Sequence, residues 1–298
     1  MDFTFHPGVN GSDPWVEFFP YNPSKPAGYA FVVLFGLATV THIVLMFPFK
    51  AAYFIPLILG GICETFGYYG RAWAHNRTTA IDSWSLQQML ILCAPTFIAA
   101  TIYMVLGRII RSFNAEHLSP MGTKKITVIF VLNDVICFFT QLGGAGVQIT
   151  GDQQVMDIGR KVVLVGLIFA LVVFMVFVWV AAVFHRRLSA YPTPVIMENQ
   201  LNWKRYMWAI YVSCFVLMVR NLVRLVEFAA VKSALNQKEV YIYVFDAFMM
   251  FVSVVVLLVW HPGLLIKRAR NAGKAGVMCA SMEQGSGVPL TGYADRRE

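Results

Sequence analysis

The sequence predicts an all-α, polytopic membrane protein, a seven-transmembrane-helix bundle with its N-terminus outside and its C-terminus in the cytosol. Three observations predict it. First, 58% of the 298 residues are hydrophobic, only 13% are charged and the mean hydropathy is +0.62, which leaves too little polar surface to cover a soluble globule. Second, seven apolar runs are long enough to cross a hydrocarbon layer of ~30 Å. They are Ala27–Phe47, Ala51–Gly70, Leu86–Leu106, Ile126–Val147, Val162–Phe184, Tyr206–Phe228 and Tyr241–Trp260. Third, the basic residues near the membrane are unequally shared between the two faces that these runs define. One face has thirteen, including Lys50, Arg108, Arg111, Lys124, Lys125, Arg186 and Arg187, and the other has six. The positive-inside rule makes the first face cytosolic.

Both N-x-S/T sequons, at Asn10 and Asn76, fall on the face assigned to the outside, where they are candidate glycosylation acceptors. The first 26 residues have no basic start and no apolar core, so residues 1–26 read as an extracellular segment rather than a signal peptide. Residues 27–268 form the membrane domain, and 269–298, rich in Gly, Ser and charge, read as a disordered cytosolic tail. The net charge of +8 sits in short clusters between apolar runs, where anionic lipid is the counterpart, and nucleic-acid binding is not expected. Cysteines 63, 93, 137 and 214 lie in apolar runs and read as small buried hydrophobes.

Ionisable side chains inside a span cost ~2.5–3.5 kcal/mol each on insertion scales, so they are functional candidates. Seven occur: Glu64, Arg71, Asp134, Arg220, Arg224, Glu227 and Asp246. Counting ~1.5 Å per residue along each run places Glu64, Arg220, Asp246 and Gln141 at a similar depth in the outer half. Helical phase puts Arg220, Arg224 and Glu227 on one face, Glu64 with Arg71 on another, and Asp134 with Gln141 and Gln148 on a third. The expectation is one polar layer, gathering both signs from four helices around a volume open toward the outer leaflet. Carboxylates there suit an ammonium and arginines a phosphate or carboxylate. The alternative is that the charges only clamp helices together. Tyr68, Tyr103 and Tyr243 are candidate lining residues, and Pro95 with Gly143, Gly144 and Gly146 permits a kink or close helix approach.

At these residues the sequence resembles the fungal lipid-translocating exporter family, whose founding members confer resistance to aminocholesterol and move sphingoid bases. The resemblance runs from about residue 27 to 268. It is carried by Glu64-x-x-Gly67-Tyr68-x-x-Arg71, Ala94-Pro95-x-Phe97-x-Ala99-Ala100, Asp134 with Gln141 and the glycines after it, Arg220-x-x-x-Arg224-x-x-Glu227-Phe228, Glu239 with Tyr243-x-Phe245-Asp246, and His261-Pro262-Gly263. The resemblance implies a seven-span bundle of fungal membranes that handles amphiphiles such as sphingoid bases, sterol-like amines or porphyrins. Its substrate-binding residues on this reading are Glu64, Tyr68, Arg71, Asp134, Gln141, Arg220, Arg224, Glu227 and Asp246.

No GxxxxGK[ST] loop occurs, so the chain has no nucleotide-hydrolysing site of its own, and movement is downhill or coupled to protons. The alternative function is a seven-span receptor or sensor for a lipid-like ligand. It is weakened by the end of the third run, Leu106-Gly107-Arg108, and by the absence of an Asn-Pro-x-x-Tyr end to the seventh. An intramembrane zinc hydrolase needs several histidines at depth, and only His42 falls within a run. No lysine lies in any run, which excludes a retinal Schiff base. The expected protein is a transporter rather than an enzyme, without cofactor or metal, in contact with membrane lipids and an amphiphilic small molecule, and located in the plasma membrane.

Overall fold

A computed structural model describes residues 4–6, 15–17, 21–76, 78–147, 153–199, 201–229 and 238–271, nearly all of them helical. Thr4–His6 and Trp15–Glu17 pair as a short antiparallel ribbon. Asn10, Gln148 and the tail beyond 271 lie outside the described residues.

Helix α1 (Lys25–Phe49) starts with Pro26 in its first turn, where the missing N–H costs nothing. It ends at Lys50, whose φ of 49° puts it in the left-handed region while its N–H closes on the Met46 and Phe47 carbonyls. After a 3-10 turn, Ala52–Phe54, helix α2 (Ile55–Trp73) returns antiparallel. Helices α3 (Ile81–Ser112), α4 (Thr123–Val147), α5 (Gln153–Ala190), the short α6 (Pro194–Asn199) and α7 (Trp203–Ala229) follow. Helix α8 opens as Glu239–Ile242, passes through a π-helical turn at Tyr243–Phe248 and continues as Met249–Val259. A break at Trp260 and His261 precedes α9, 262–271.

The long helices alternate in direction, giving the bundle an upper end, where α1 begins, and a lower end. Around it α1 packs on α2, α2 on α3, α3 on α4, α4 on α5, α5 on α7, and α7 on α8, which closes back on α1; α3 also touches α7. The α1–α2 contact is close because it is built on glycines. A Cβ at Gly61 would stand 2.1 Å from Thr39 Oγ1, and one at Gly28 2.9 Å from Ala72 Cβ. Of the three glycines expected to allow approach in α4, Gly144 is at the α5 contact, where a Cβ would meet Val163 Cγ2 at 2.0 Å. Gly143 and Gly146 face open space instead.

The outer surface is apolar in stripes with helical spacing. Val33, Leu37, Val40, Val44 and Phe47 are exposed on α1, and Leu132, Ile136 and Phe139 on α4. Such a surface belongs in lipid. Among the described residues six segments are long and apolar enough to cross a membrane: Lys25–Phe49, Ile81–Ser112, Thr123–Gly144, Asp157–Ala190, Trp203–Ala229 and Glu239–Asn271. The chain is therefore a multi-pass membrane protein. The second expected span, α2, forms a helix of 19 residues but is not among the six, because Glu64, Arg71 and its glycines dilute its apolar character.

Candidate functional site

The expected single layer of charge is divided by the structure into three bonded groups and one carboxyl without a partner. The central group joins α7 to α8. Arg220 and Arg224 are one turn apart on α7 and so face the same neighbour. Arg220 Nε donates to Asp246 Oδ1 at 2.7 Å, and Arg224 Nη2 donates to Asp246 Oδ2 at 2.7 Å. One carboxylate thus takes a guanidinium on each oxygen, and all three side chains are buried. Arg224 Nη1 also reaches Glu227 Oε2 at 3.2 Å, and Arg220 Nη2 donates to the Ile91 carbonyl of α3 at 3.3 Å. Charge-assisted bonds of this length are the strong kind.

The second group sits higher. Arg71, near the top of α2 and 1% exposed, donates through Nε to Tyr243 Oη at 3.2 Å. Its Nη2 donates to Tyr21 Oη at 2.9 Å and to Glu239 Oε1 at 3.2 Å. Its guanidinium also lies over the Tyr21 and Tyr243 rings, 5.6 and 5.1 Å from their centroids. Glu239 in turn accepts the Ser24 N–H at 2.7 Å, tying the approach to α1 to the top of α8. The sequence reading did not count Glu239 among the site residues because it precedes the last apolar run. Its place in the family-like motif with Tyr243 and Asp246 was the available signal.

The third group is in α3 and α4. Tyr103 Oη donates to Asp134 Oδ2 at 2.8 Å, and Asn133 Nδ2 to Asp134 Oδ1 at 3.3 Å. Asp134 therefore pairs with hydroxyl and amide rather than with an arginine. It nevertheless shares a cavity with one. A void of about 40 Å³ between α3, α4, α5 and α7 is lined by Asp134, Gln141, Arg220 and Asn221 and by apolar groups including Leu92, Leu167, Phe174 and Leu217. A second void, about 20 Å³, lies between α7 and α8 beside Arg220, Arg224, Glu227 and Asp246.

Glu64 stands apart. It was expected on one stripe with Arg71, but Arg71 turns to Glu239, and neither Glu64 oxygen meets a hydrogen-bond partner among the described residues. The Tyr68 hydroxyl, one turn above, is equally open, while its ring stacks on Phe35 with centroids 5.8 Å apart. Depth counting located these residues correctly along the bundle axis only in part, since it says nothing of the direction in which each side chain points.

No group of three or more His, Cys, Asp or Glu placed to hold a metal occurs among the described residues. His42 is the one histidine within an apolar run, as expected, and His261 lies at the end of the last one, but it is buried all the same. The break before α9 folds His261 inward, where it is 5% exposed with its ring 6.1 Å from that of His42.

Comparison with known proteins covers this whole arrangement. Residues 57–269 match the family described as RTA1 like protein. Protein RTA1 of Saccharomyces cerevisiae is 29% identical over 280 residues, spanning 85% of this chain and 87% of its own. Protoporphyrin uptake protein 1 of the same yeast is 27% identical over 287 residues, spanning 83% and 92%. Probable lipid transporter atnI of Emericella nidulans is 28% identical over 260 residues, spanning 83% and 67%. No solved structure matches. The matched stretch runs from the first turn of α2 into α9 and includes every charge of the three groups, so the chain belongs to the RTA1-like protein family.

Proposed function

We propose that the chain is a seven-span translocase of amphiphilic lipids or lipid-like molecules, of the sphingoid-base, sterol-like amine or porphyrin class. The observation that carries this reading is the void between α3, α4, α5 and α7, where Asp134, Gln141, Arg220, Asn221 and Thr96 share the lining with apolar groups. An ammonium fits at Asp134. A phosphate or carboxylate fits at the Arg220 guanidinium, whose Nη1 has, among the described residues, only Asn221 at 3.5 Å. The apolar tail then lies along Leu92, Leu167 and Phe174. At about 40 Å³ the void holds two or three waters, not a lipid, so entry requires α4 and α5 to move outward. Two of the relatives bear names denoting lipid transport and porphyrin uptake, which supports the substrate class and a transporter rather than an enzyme.

The test uses the purified chain in phosphatidylcholine vesicles and a fluorescent sphingoid base. Asp134→Asn keeps an acceptor for Tyr103 and is expected to melt like the wild type while moving the probe about tenfold more slowly, the effect of losing one charge-assisted head-group contact. An unchanged rate in this variant would remove Asp134 from the head-group site and overturn the reading.

Seven crossings require α2 to span. Its exposed face supports this, because Ile55, Leu59, Ile62, Phe66, Tyr69 and Trp73 form an apolar stripe like that of α1. On this topology Asn10 and Asn76 face outside as glycan acceptors, the 269–298 tail faces the cytosol, and the protein resides in the plasma membrane. Single cysteines replacing Asn76 and Lys50 in a cysteine-free background test it in intact cells. Asn76→Cys is expected to react with an impermeant maleimide and Lys50→Cys only after permeabilisation. Labelling of both from one side would mean that α2 does not cross.

A further inference from the structure

Below the paired charges, the interior between α1, α2 and α8 holds a file of buried polar side chains with unfilled hydrogen-bonding capacity. Glu64 is its upper member, fully buried with both oxygens open. Gly61 lies one turn lower on α2, directly against Thr39 of α1, whose hydroxyl is also open. Three residues further down α1 is His42, fully buried. Its Nε2 is 3.1 Å from the Val254 carbonyl of α8, and its Nδ1 is open. Ser253, preceding Val254, adds an open hydroxyl. His261 follows at 6.1 Å between ring centroids, with Nδ1 accepting the Gly263 N–H at 3.2 Å and Nε2 open.

Each step down the file is three residues of helix, a rise of about 4.5 Å, until the two imidazoles meet. Buried polar groups are ordinarily satisfied, and a seam built for packing alone would use alanine or leucine at these positions. Five such groups in one file, with a carboxyl at one end and two imidazoles at the other, are groups of the kind that carry protons through a membrane interior.

We propose that Glu64, Thr39, His42 and His261 form a proton path from the lower end of the bundle to the Arg220–Asp246–Arg224 group, coupling amphiphile movement to proton movement. This rests on the translocase reading and deepens it. With Nε2–H donated to Val254, His42 takes up and releases protons at Nδ1 alone; because His261 Nε2, His42 Nδ1, the Thr39 hydroxyl and the Glu64 oxygens are not bonded to one another, each hand-over along the file needs a bridging water or a turn of the side chain. Every transfer moves one proton between oxygen or nitrogen atoms and leaves no other bond changed. The groups facing Glu64 are Asp246 of α8, Arg220 and Arg224 of α7, and Cys63 beside it and Tyr68 above it on α2. From α3, Cys93 faces Cys63, and α1 contributes Thr39. Facing the imidazoles are each other, the Val254 carbonyl, and the rings of Phe49 and Phe54. An ionised Glu64 competes with Asp246 for Arg220, and a protonated one does not. Proton arrival and departure therefore switch the arginine that lines the larger void.

The experiment uses the full chain in vesicles containing a pH-sensitive dye, with voltage held at zero by potassium and valinomycin. The probe is a fluorescent N,N,N-trimethyl sphingosine, whose head group has no proton to carry. A gradient of one pH unit is expected to drive about tenfold accumulation of the probe per coupled proton. The dye should respond only when protein and probe are both present. Glu64→Gln and His42→Phe, each checked by thermal melting, are expected to abolish the dye response and the accumulation. Thr39→Val, which cannot pass a proton and keeps the side-chain shape, should do the same. Probe movement indifferent to the gradient, or a retained response in His42→Phe, overturns the path while leaving translocation intact. Failure of the wild type to move any probe instead overturns translocation, and the coupling with it.

Discussion

Asp246→Ala is expected to leave a protein that is strongly destabilised. The alanine would strand two buried guanidinia. Arg220 would keep only the Ile91 carbonyl and a distant Asn221, and Arg224 only Glu227. Breaking a buried ion pair by removing one partner costs about 3–5 kcal/mol, because the desolvated charge left behind has nothing to answer it. Against a total stability of about 5–15 kcal/mol that is a large fraction. In a chain of this size the melting temperature should fall by about 10 °C. Thermal unfolding in detergent and recovery from size exclusion measure it. Asp246→Asn with Arg224→Gln removes one charge of each sign and is expected to recover part of the loss. A single Asp246→Ala variant melting within a degree or two of the wild type would mean that the pair does not hold the helices. Asp246 would then be available to a ligand.

Arg71→Ala should have the second largest effect, of a different kind. Arg71 is the largest of the fully buried side chains, and through Tyr21, Glu239 and Tyr243 it fastens the segment before α1 to the tops of α2 and α8. Its loss leaves a void lined by two phenol rings and a carboxylate that retains the Ser24 N–H and the Tyr243 hydroxyl. A cost of about 2–4 kcal/mol follows from the lost charge-assisted bonds and the cavity together. Because Tyr21 is released, chymotryptic cleavage after it should accelerate about tenfold or more, as local opening becomes cheaper. Glu239→Gln keeps the shape and two of the Arg71 bonds and should give a smaller acceleration. Cleavage at the wild-type rate in Arg71→Ala would show that the segment is held by something else.

What the sequence disclosed and what it concealed divide along a physical line. Apolar run length follows from the thickness of the hydrocarbon layer, so the long helices were legible with ends a few residues short. Rise per residue fixes depth, so the level shared by Arg220 and Asp246 was legible too, and the spacing of Arg220, Arg224 and Glu227 fixed their common face. Direction around each axis is set by packing between helices, which no single run records. Hence Arg71, expected on one stripe with Glu64, turns away to Glu239, and Asp134, expected in one layer with the arginines, bonds to Tyr103. His261 was read as an end residue because the break that folds it inward depends on its contacts with Phe49 and Phe54. The weak apolar character of α2 has the same origin as its importance. Its glycines admit α1 and α3 closely, and its charges face the interior.

The π turn at Tyr243–Phe248 makes the effect of an indel in α8 depend on where it falls. A π turn accommodates one residue more than an α turn, about 100° of rotation, within a single helix. Above it, Glu239 and Tyr243 are aimed at Arg71; below it, Met250, Val254 and Leu257 fill the core. Removing one residue from the turn would restore uniform α geometry and leave both parts facing as they do, whereas removing one above or below it would swing the upper part of the helix by about 100° away from α2. Substitutions in this helix alter what is presented; a one-residue deletion outside the turn alters where it is presented.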